Sequence, residues 1–228
     1  MNTPVVMMQK NPPLMPALGL ISLVAGILIV FTYEQTLPFI EANKQRAIEA
    51  AVLQLVPTMQ QRRDFVVDDG VMRLANEKES RDVSRIYAGY DADGALAGLA
   101  LPGSAQGYQG MLRLLYSYNP DCSCITGMKI VQATETPGLG DKIAFDKKFL
   151  ANFNQLAAGL NSQGTSLEHD IVAVRHGRKQ HAWEIDAISG ATVSSKAVAK
   201  AINRSAAQLL PVVRAKLKQF TEPSDANR

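Results

Sequence analysis

A chain of 228 residues that is 46% hydrophobic and 20% charged can bury one core and is no disordered polyelectrolyte. Its formal net charge of +3, its Lys/Arg runs no longer than a pair and its 6% aromatic content argue against nucleic acid as a partner.

The first element is an apolar helix. No charged residue stands between Lys10 and Glu34, and at about 1.5 Å per residue that stretch reaches roughly 34 Å, enough for a hydrocarbon core. Pro12, Pro13 and Pro16 crowd its start, so the effective helix runs from Ala17 to Tyr33, at about 26 Å the low edge of a spanning length. A secretory signal would show a small-x-small site beyond the apolar run, and Phe31-Thr32-Tyr33-Glu34-Gln35-Thr36-Leu37 has none. A core helix would show a polar face, and Leu18 to Val30 is apolar all round apart from Ser22. The segment reads as an uncleaved anchor. Lys10 on one side and Lys44 with Arg46 on the other nearly tie under the positive-inside rule, so charge leaves the orientation open.

From Glu41 to Val56, Ala47, Ile48, Ala51, Val52, Leu55 and Val56 share a helical stripe that Pro57 ends. Asp69-Gly70 and Asp93-Gly94 each sit between short apolar runs and predict two hairpins. Met111 to Tyr118 and Ile125 to Ala133 are further strands, parted by Asn119-Pro120-Asp121. Cys122 and Cys124 form a lone C-x-C, without partners for a metal or iron–sulfur set. A bridge over one residue is a strained small ring, so they read as ordinary strand or turn residues, with a redox-labile pair as the other reading.

Phe145 to Leu160 predicts a helix with Phe149, Phe153, Leu156 and Leu160 on one side. Ile171 to Arg175 and Ala182 to Ile188 bracket His176-Gly177-Arg178 as another strand pair. Val193 to Leu210 predicts the best helix in the chain, interrupted by Pro211 and followed by a polar, frayed tail from Thr221. Strands in hairpins with helices between groups predict an α+β fold: one amino-terminal transmembrane helix, then antiparallel strands packed with helices. The expected domains are a tail and anchor (1–36), a juxtamembrane helix and hairpin (37–80), a binding domain (81–215) and a polar tail (216–228).

Asp186-Ala187-Ile188-Ser189-Gly190-Ala191-Thr192-Val193-Ser194-Ser195-Lys196 runs from a strand end into that best helix. Small residues permit a tight turn, and unpaired first-turn N–H groups at the positive end of the helix dipole suit a phosphate. Ser189, Thr192, Ser194 and Ser195 add hydroxyls and Lys196 a cation. A capped helix start with no ligand is the alternative, since Ser and Thr are preferred caps in any case. Thr192 lacks an obvious base: Asp186 is the nearest carboxylate in sequence. In Glu135-Thr136-Pro137-Gly138-Leu139-Gly140-Asp141-Lys142-Ile143, Pro137-Gly138 predicts a type II turn, and Gly138 and Gly140 permit close approach of a flat ring. His169, His176 and His181 lack H-E-x-x-H spacing and read as surface or structural residues. Neither a G-x-G-x-x-G after a strand nor a P-loop is present, so nicotinamide binding is not expected.

The Asp186–Thr192 segment resembles the D-x-x-S-G-A-T signature of FMN-binding domains flavinylated by a dedicated transferase, and Glu135–Gly140 resembles the E-T-P-G-L-G element of Rnf G and Nqr C subunits. Glu34 to Val56, Asp141-Lys142-Ile143 and Trp183 to Val198 look more like Rnf G. The resemblance implies FMN joined to Thr192 through a phosphoester. It also implies cofactor contacts from Asp186, Ser189, Gly190, Ala191, Thr136, Gly138, Leu139, Lys142 and Lys196, with no catalytic or metal residues. It implies an electron-transfer subunit of an ion-translocating complex, between ferredoxin- or NAD(H)-linked partner subunits and without its own substrate site. The expected maturation partner is the flavin transferase. The expected location is a bacterial inner membrane, with a single pass, a short cytoplasmic amino terminus and a periplasmic FMN domain. The alternatives are a membrane-tethered FMN sensor or regulator, and the C subunit of a related Na+-translocating NADH:quinone reductase.

Overall fold

One helix, α1 (Leu14–Leu55), takes up the apolar run and the stripe after it without a break, with Pro38 inside it. A proline removes one N–H and crowds the carbonyl four residues back, which kinks a long helix as readily as it ends one. The computed structural model describes residues 14–68, 70–76 and 84–221; Pro12, Pro13, the turn residue Asp69 and the tail beyond Thr221 lie outside the described residues. The chain divides into two compact units, Met1–Arg46 and Ala47–Arg228. In the first, an 18-residue window of mean hydropathy 2.6 contains no buried residue. A helix that apolar and that exposed suits lipid better than water. It is the one candidate membrane span among the described residues.

The second unit is built on a seven-stranded antiparallel sheet. Its strands are β1 (Gln61–Asp68), β2 (Val71–Leu74), β3 (Ser84–Tyr90), β4 (Leu96–Gln106), β5 (Met111–Asn119), β6 (Cys124–Gln132) and β7 (Leu156–Ala157). They lie in the order β2-β1-β3-β4-β5-β6-β7. The β3–β4 hairpin forms where expected: Gly94 takes the left-handed φ of +77°, and the Asp91 carboxylate accepts from the N–H groups of Asp93 and Ala95.

The period of two then loads both faces. Ile86, Ala88, Leu99, Leu101, Leu114 and Tyr116 enter the large core with Val198, Ala201, Ile202 and Leu209 of the long helix α3 (Thr192–Ala215). Their neighbours Tyr87, Ala100 and Leu115 meet Ala51 and Val52 at the end of α1 on the other face. Small residues let α3 lie close: the Ser205 hydroxyl reaches the Pro102 carbonyl and the buried Tyr116 hydroxyl. Burial pushes the Tyr116 phenol well above its ordinary pKa. The fold is α+β.

Four local expectations are corrected. Phe145 to Leu160 is not one helix; it is α2 (Lys147–Leu150), a 3-10 turn (Ala151–Phe153) and then β7. Asn152 explains the break. Its amide donates to the carbonyls of Phe149 and Asp186 and accepts from the Asp186 N–H, so a side chain competes with the helix for its own backbone. Phe149, Phe153 and Leu156 are buried nonetheless.

Second, β8 (Val172–Val174) and β9 (Glu184–Asp186) pair in parallel, outside the main sheet. The Glu184 carboxylate accepts from the N–H groups of Gln180 and His181, which turns the chain so that β9 starts from the same end as β8. Those two bonds hold the Glu184 carboxyl below its ordinary pKa. Third, Pro211 does not interrupt α3, which continues to Ala215; buried Leu209, Leu210 and Val213 hold it in the core on either side. Fourth, Cys122 and Cys124 are joined in a disulfide. α4 (Leu217–Thr221) follows α3, placing Phe220 edge-on against Phe65.

Candidate functional site

The site begins where β9 hands over to α3. Gly190 adopts a φ of +84°, a value a side chain disfavours, and the Ala191 N–H closes the turn onto the Ile188 carbonyl at 3.0 Å. Ala191 is the N-cap residue and no side chain caps the helix. The helix start is therefore not a side-chain-capped one. The hydroxyls that resembled caps are used elsewhere: Ser195 is buried, donating to the Ala191 carbonyl and accepting from the Ile188 N–H. Ser194 is buried too, donating to Glu135 at 2.6 Å. Thr192 opens the helix and is exposed, beside first-turn N–H groups without intrahelical acceptors.

Glu135 fastens a second loop to this helix end. Its carboxylate is buried, with one oxygen on the Ser194 hydroxyl and the other accepting the Tyr108 N–H at 2.9 Å. Space around it is tight: a Cβ on Gly140 would stand 2.5 Å from Glu135 Oε2 and 2.8 Å from Ser194 Oγ, and one on Gly107 would collide with Oε1. Three segments therefore converge on one carboxylate: the β4–β5 turn, the Glu135–Gly140 loop and the start of α3. The loop makes the expected turn, with Leu139 N–H on the Thr136 carbonyl at 3.2 Å and Gly138 at a φ of +76°. Leu139 is left half exposed, and its Cδ2 lies 3.9 Å from where a Cβ on Gly190 would sit. The two glycine-bearing loops thus lie side by side.

The expected residues separate into three groups. Ser189, Gly190, Ala191 and Thr192 form the turn and helix start, and Lys196 is exposed one turn further along the stripe of Thr192. Thr136, Gly138 and Leu139 lie on the adjoining loop, and Lys142 is part-buried in the 3-10 turn Gly140–Ala144 that follows it. The Asp186 side chain is committed elsewhere: its carboxylate accepts the Gly177 N–H at 2.6 Å and stands 3.2 Å from His176 Nδ1. Sequence reasoning missed Glu135 as the clamp and Ser194 as its partner. The glutamate opens the E-T-P-G-L-G element, but nothing local ties it to a serine 59 positions away.

The arrangement fits a phosphate-bearing, partly flat ligand. An uncapped helix start offers N–H donors and an exposed hydroxyl, and Leu139 offers an apolar surface. Asp141 Oδ1, in the 3-10 turn Gly140–Ala144, is buried without a hydrogen-bond partner among the described residues.

Residues 107–207 match the FMN-binding domain family. The chain is 32% identical over 186 residues to the G subunit of the ion-translocating oxidoreductase complex of Methanosarcina acetivorans, covering 80% of this chain and 86% of that protein. The chain belongs to this G-subunit family. A second member, the G subunit of the Na(+)-translocating ferredoxin:NAD(+) oxidoreductase complex of Acetobacterium woodii, is 30% identical over 197 residues, covering 82% of this chain and 86% of that one. Among solved structures, NqrC of Shewanella oneidensis superposes with a TM-score of 0.60 at 17% identity, covering 78% of this chain and 98% of that one. At that identity the likeness shows a shared fold. Every convergent segment of the site in this G-subunit relative, from Gly107 to the first turns of α3, falls inside the FMN-binding match.

Proposed function

We propose that this chain is a membrane-anchored flavoprotein subunit of an Rnf-type ion-translocating oxidoreductase, relaying electrons through FMN esterified by its phosphate to Thr192. The observation that carries the reading is an exposed threonine opening an uncapped helix, with the E-T-P-G-L-G loop clamped beside it through Glu135 and Ser194. Membership of the G-subunit family and the FMN-binding match support the cofactor and the complex.

Bound FMN supplies the redox chemistry; the protein supplies position, electrostatics and burial. The first-turn N–H groups and the helix dipole favour the phosphate charge, and Lys196 and Lys142 offset it further. Gly138 and Leu139 would present an apolar surface to a planar ring. Asp186, the nearest carboxylate in sequence, is held by Gly177 and His176 and is not free to deprotonate Thr192. Attachment therefore falls to a flavin transferase, and Thr192 is a tether, not a catalytic residue. Electrons pass to and from partner subunits linked to ferredoxin or NAD(H). The candidate span holds the chain in the inner membrane, with a short cytoplasmic amino terminus and the FMN domain on the periplasmic side; a disulfide in that domain suits an oxidising compartment.

The test is co-expression with the transferase, followed by denaturing electrophoresis. Flavin fluorescence should stay with the wild-type band and vanish in Thr192→Ala, while Lys200→Ala, changed at an exposed position of the same helix outside the signature, should keep it. A colourless wild-type band, or a fluorescent Thr192→Ala band, overturns the covalent reading.

A further inference from the structure

The Cys122–Cys124 bridge lies at the tip of the β5–β6 hairpin, with a single residue between its cysteines. Three observations bear on what it does. Ser123, the residue it spans, has a φ of +49° and is the one non-glycine with positive φ among the described residues. The left-handed region is unfavourable for a residue with a Cβ.

Hydrogen bonds independent of sulfur also hold the turn. Asp121 N–H donates to Asn119 Oδ1 at 2.8 Å, Ser123 N–H to the Pro120 carbonyl at 3.2 Å, and Ala158 N–H to the Ser123 carbonyl at 3.1 Å. Closing so short a loop removes little freedom from the unfolded chain, so the bridge adds little to stability. Finally, the two sulfurs differ in access: Cys122 is exposed, while Cys124 is 4% exposed at the start of β6. A bond that contributes little structure, spans a strained residue and presents one reachable sulfur is suited to chemistry.

We infer that Cys122–Cys124 is a thiol–disulfide exchange site, poised by Ser123 and reduced by a dithiol carrier that attacks Cys122. The carrier thiolate bonds to Cys122 Sγ, the Sγ–Sγ bond breaks, and its electron pair leaves on Cys124 Sγ, which takes up a proton. The carrier's second thiolate then attacks its own sulfur in the mixed disulfide and releases Cys122 as thiolate, which is protonated in turn. The protein gains two electrons and two protons, and the carrier's dithiol becomes a disulfide. The inference is independent of the flavin reading, because neither cysteine belongs to the α3 site.

The experiment uses the full-length protein in detergent. Samples are held in graded dithiothreitol buffers without denaturant, quenched with N-ethylmaleimide and weighed intact. The untreated protein should take up no maleimide and the reduced protein two, with flavin fluorescence unchanged. Incubated with oxidised glutathione, Cys124→Ser should form a mixed disulfide at Cys122 and release one glutathione thiol, and Cys122→Ser should form at least tenfold less. Ser123→Gly, which relieves the left-handed residue, should shift the exchange equilibrium about fivefold toward the bridge. A bridge that resists dithiothreitol until the protein is denatured overturns the inference, as do two free thiols in air-purified protein. Equal trapping by the two cysteine variants, or an exchange constant unmoved by Ser123→Gly, overturns it as well.

Discussion

At the scale of single residues, the site depends on a buried carboxylate that touches no ligand in the proposed reading. Glu135 accepts two hydrogen bonds, from the Tyr108 N–H and the Ser194 hydroxyl. Glu135→Ala leaves the buried Ser194 hydroxyl and the Tyr108 N–H without this partner, and the buried loss costs about 1–3 kcal/mol. The denaturant midpoint should therefore fall at unchanged slope, and the yield of covalent flavin should fall with it, since the loop and the helix start are no longer held together. Glu135→Gln keeps the shape but turns an NH2 toward one donor, so it should lie between alanine and the wild type in both measurements. If Glu135→Ala unfolds at the wild-type midpoint, the clamp has no energetic weight. Neither partner of this bond was legible locally. Ser194 resembled one of several helix-start hydroxyls, and only the folded chain distinguishes it, buried on Glu135, from the exposed Thr192 two residues earlier.

At the scale of elements, what the sequence revealed was what short-range physics decides. The Asp93-Gly94 turn needs only a glycine at positive φ and an aspartate to accept N–H groups, and both are neighbours in the chain. The start of α3 was legible for the same reason. The segment from Phe145 to Leu160 was not, because its apolar spacing fits a helix while Asn152 bonds to Asp186, 34 positions away. The parallel pairing of β8 with β9 was hidden likewise, depending on how Glu184 folds the chain back on itself. Asn152 thus ties the short helical stretch to the strand that feeds the D-x-x-S-G-A-T turn. Asn152→Ala strips the Asp186 N–H and C=O of their Asn152 partner, a loss of about 2–3 kcal/mol in folding stability. Hydrogen exchange should quicken at Asp186 and through the following turn while the central strands stay protected. Uniform protection across the variant would mean that the turn stands without Asn152.

At the scale of the whole molecule, α1 serves two environments, and its sequence changes character along its length. Up to Arg46 it belongs to a unit whose apolar side chains are exposed, and from Ala47 it belongs to the unit that holds the sheet. Ala51 and Val52 are buried against Tyr87, Ala100 and Leu115, so the last turns of α1 cover a sheet face that alternation had made apolar. Removing residues 1–46 should therefore give a protein that stays soluble without detergent, unfolds cooperatively and still accepts flavin when the transferase acts on it. Removing residues 1–56 takes the cover as well. It exposes Tyr87, Ala100 and Leu115 together, and an uncovered apolar sheet face of that kind drives association. Gel filtration should then show aggregates in place of a monomer, and circular dichroism a lower and broader melting transition. A monomeric, cooperatively folding product of the longer deletion would show that this face needs no cover, and that α1 is an anchor along its whole length.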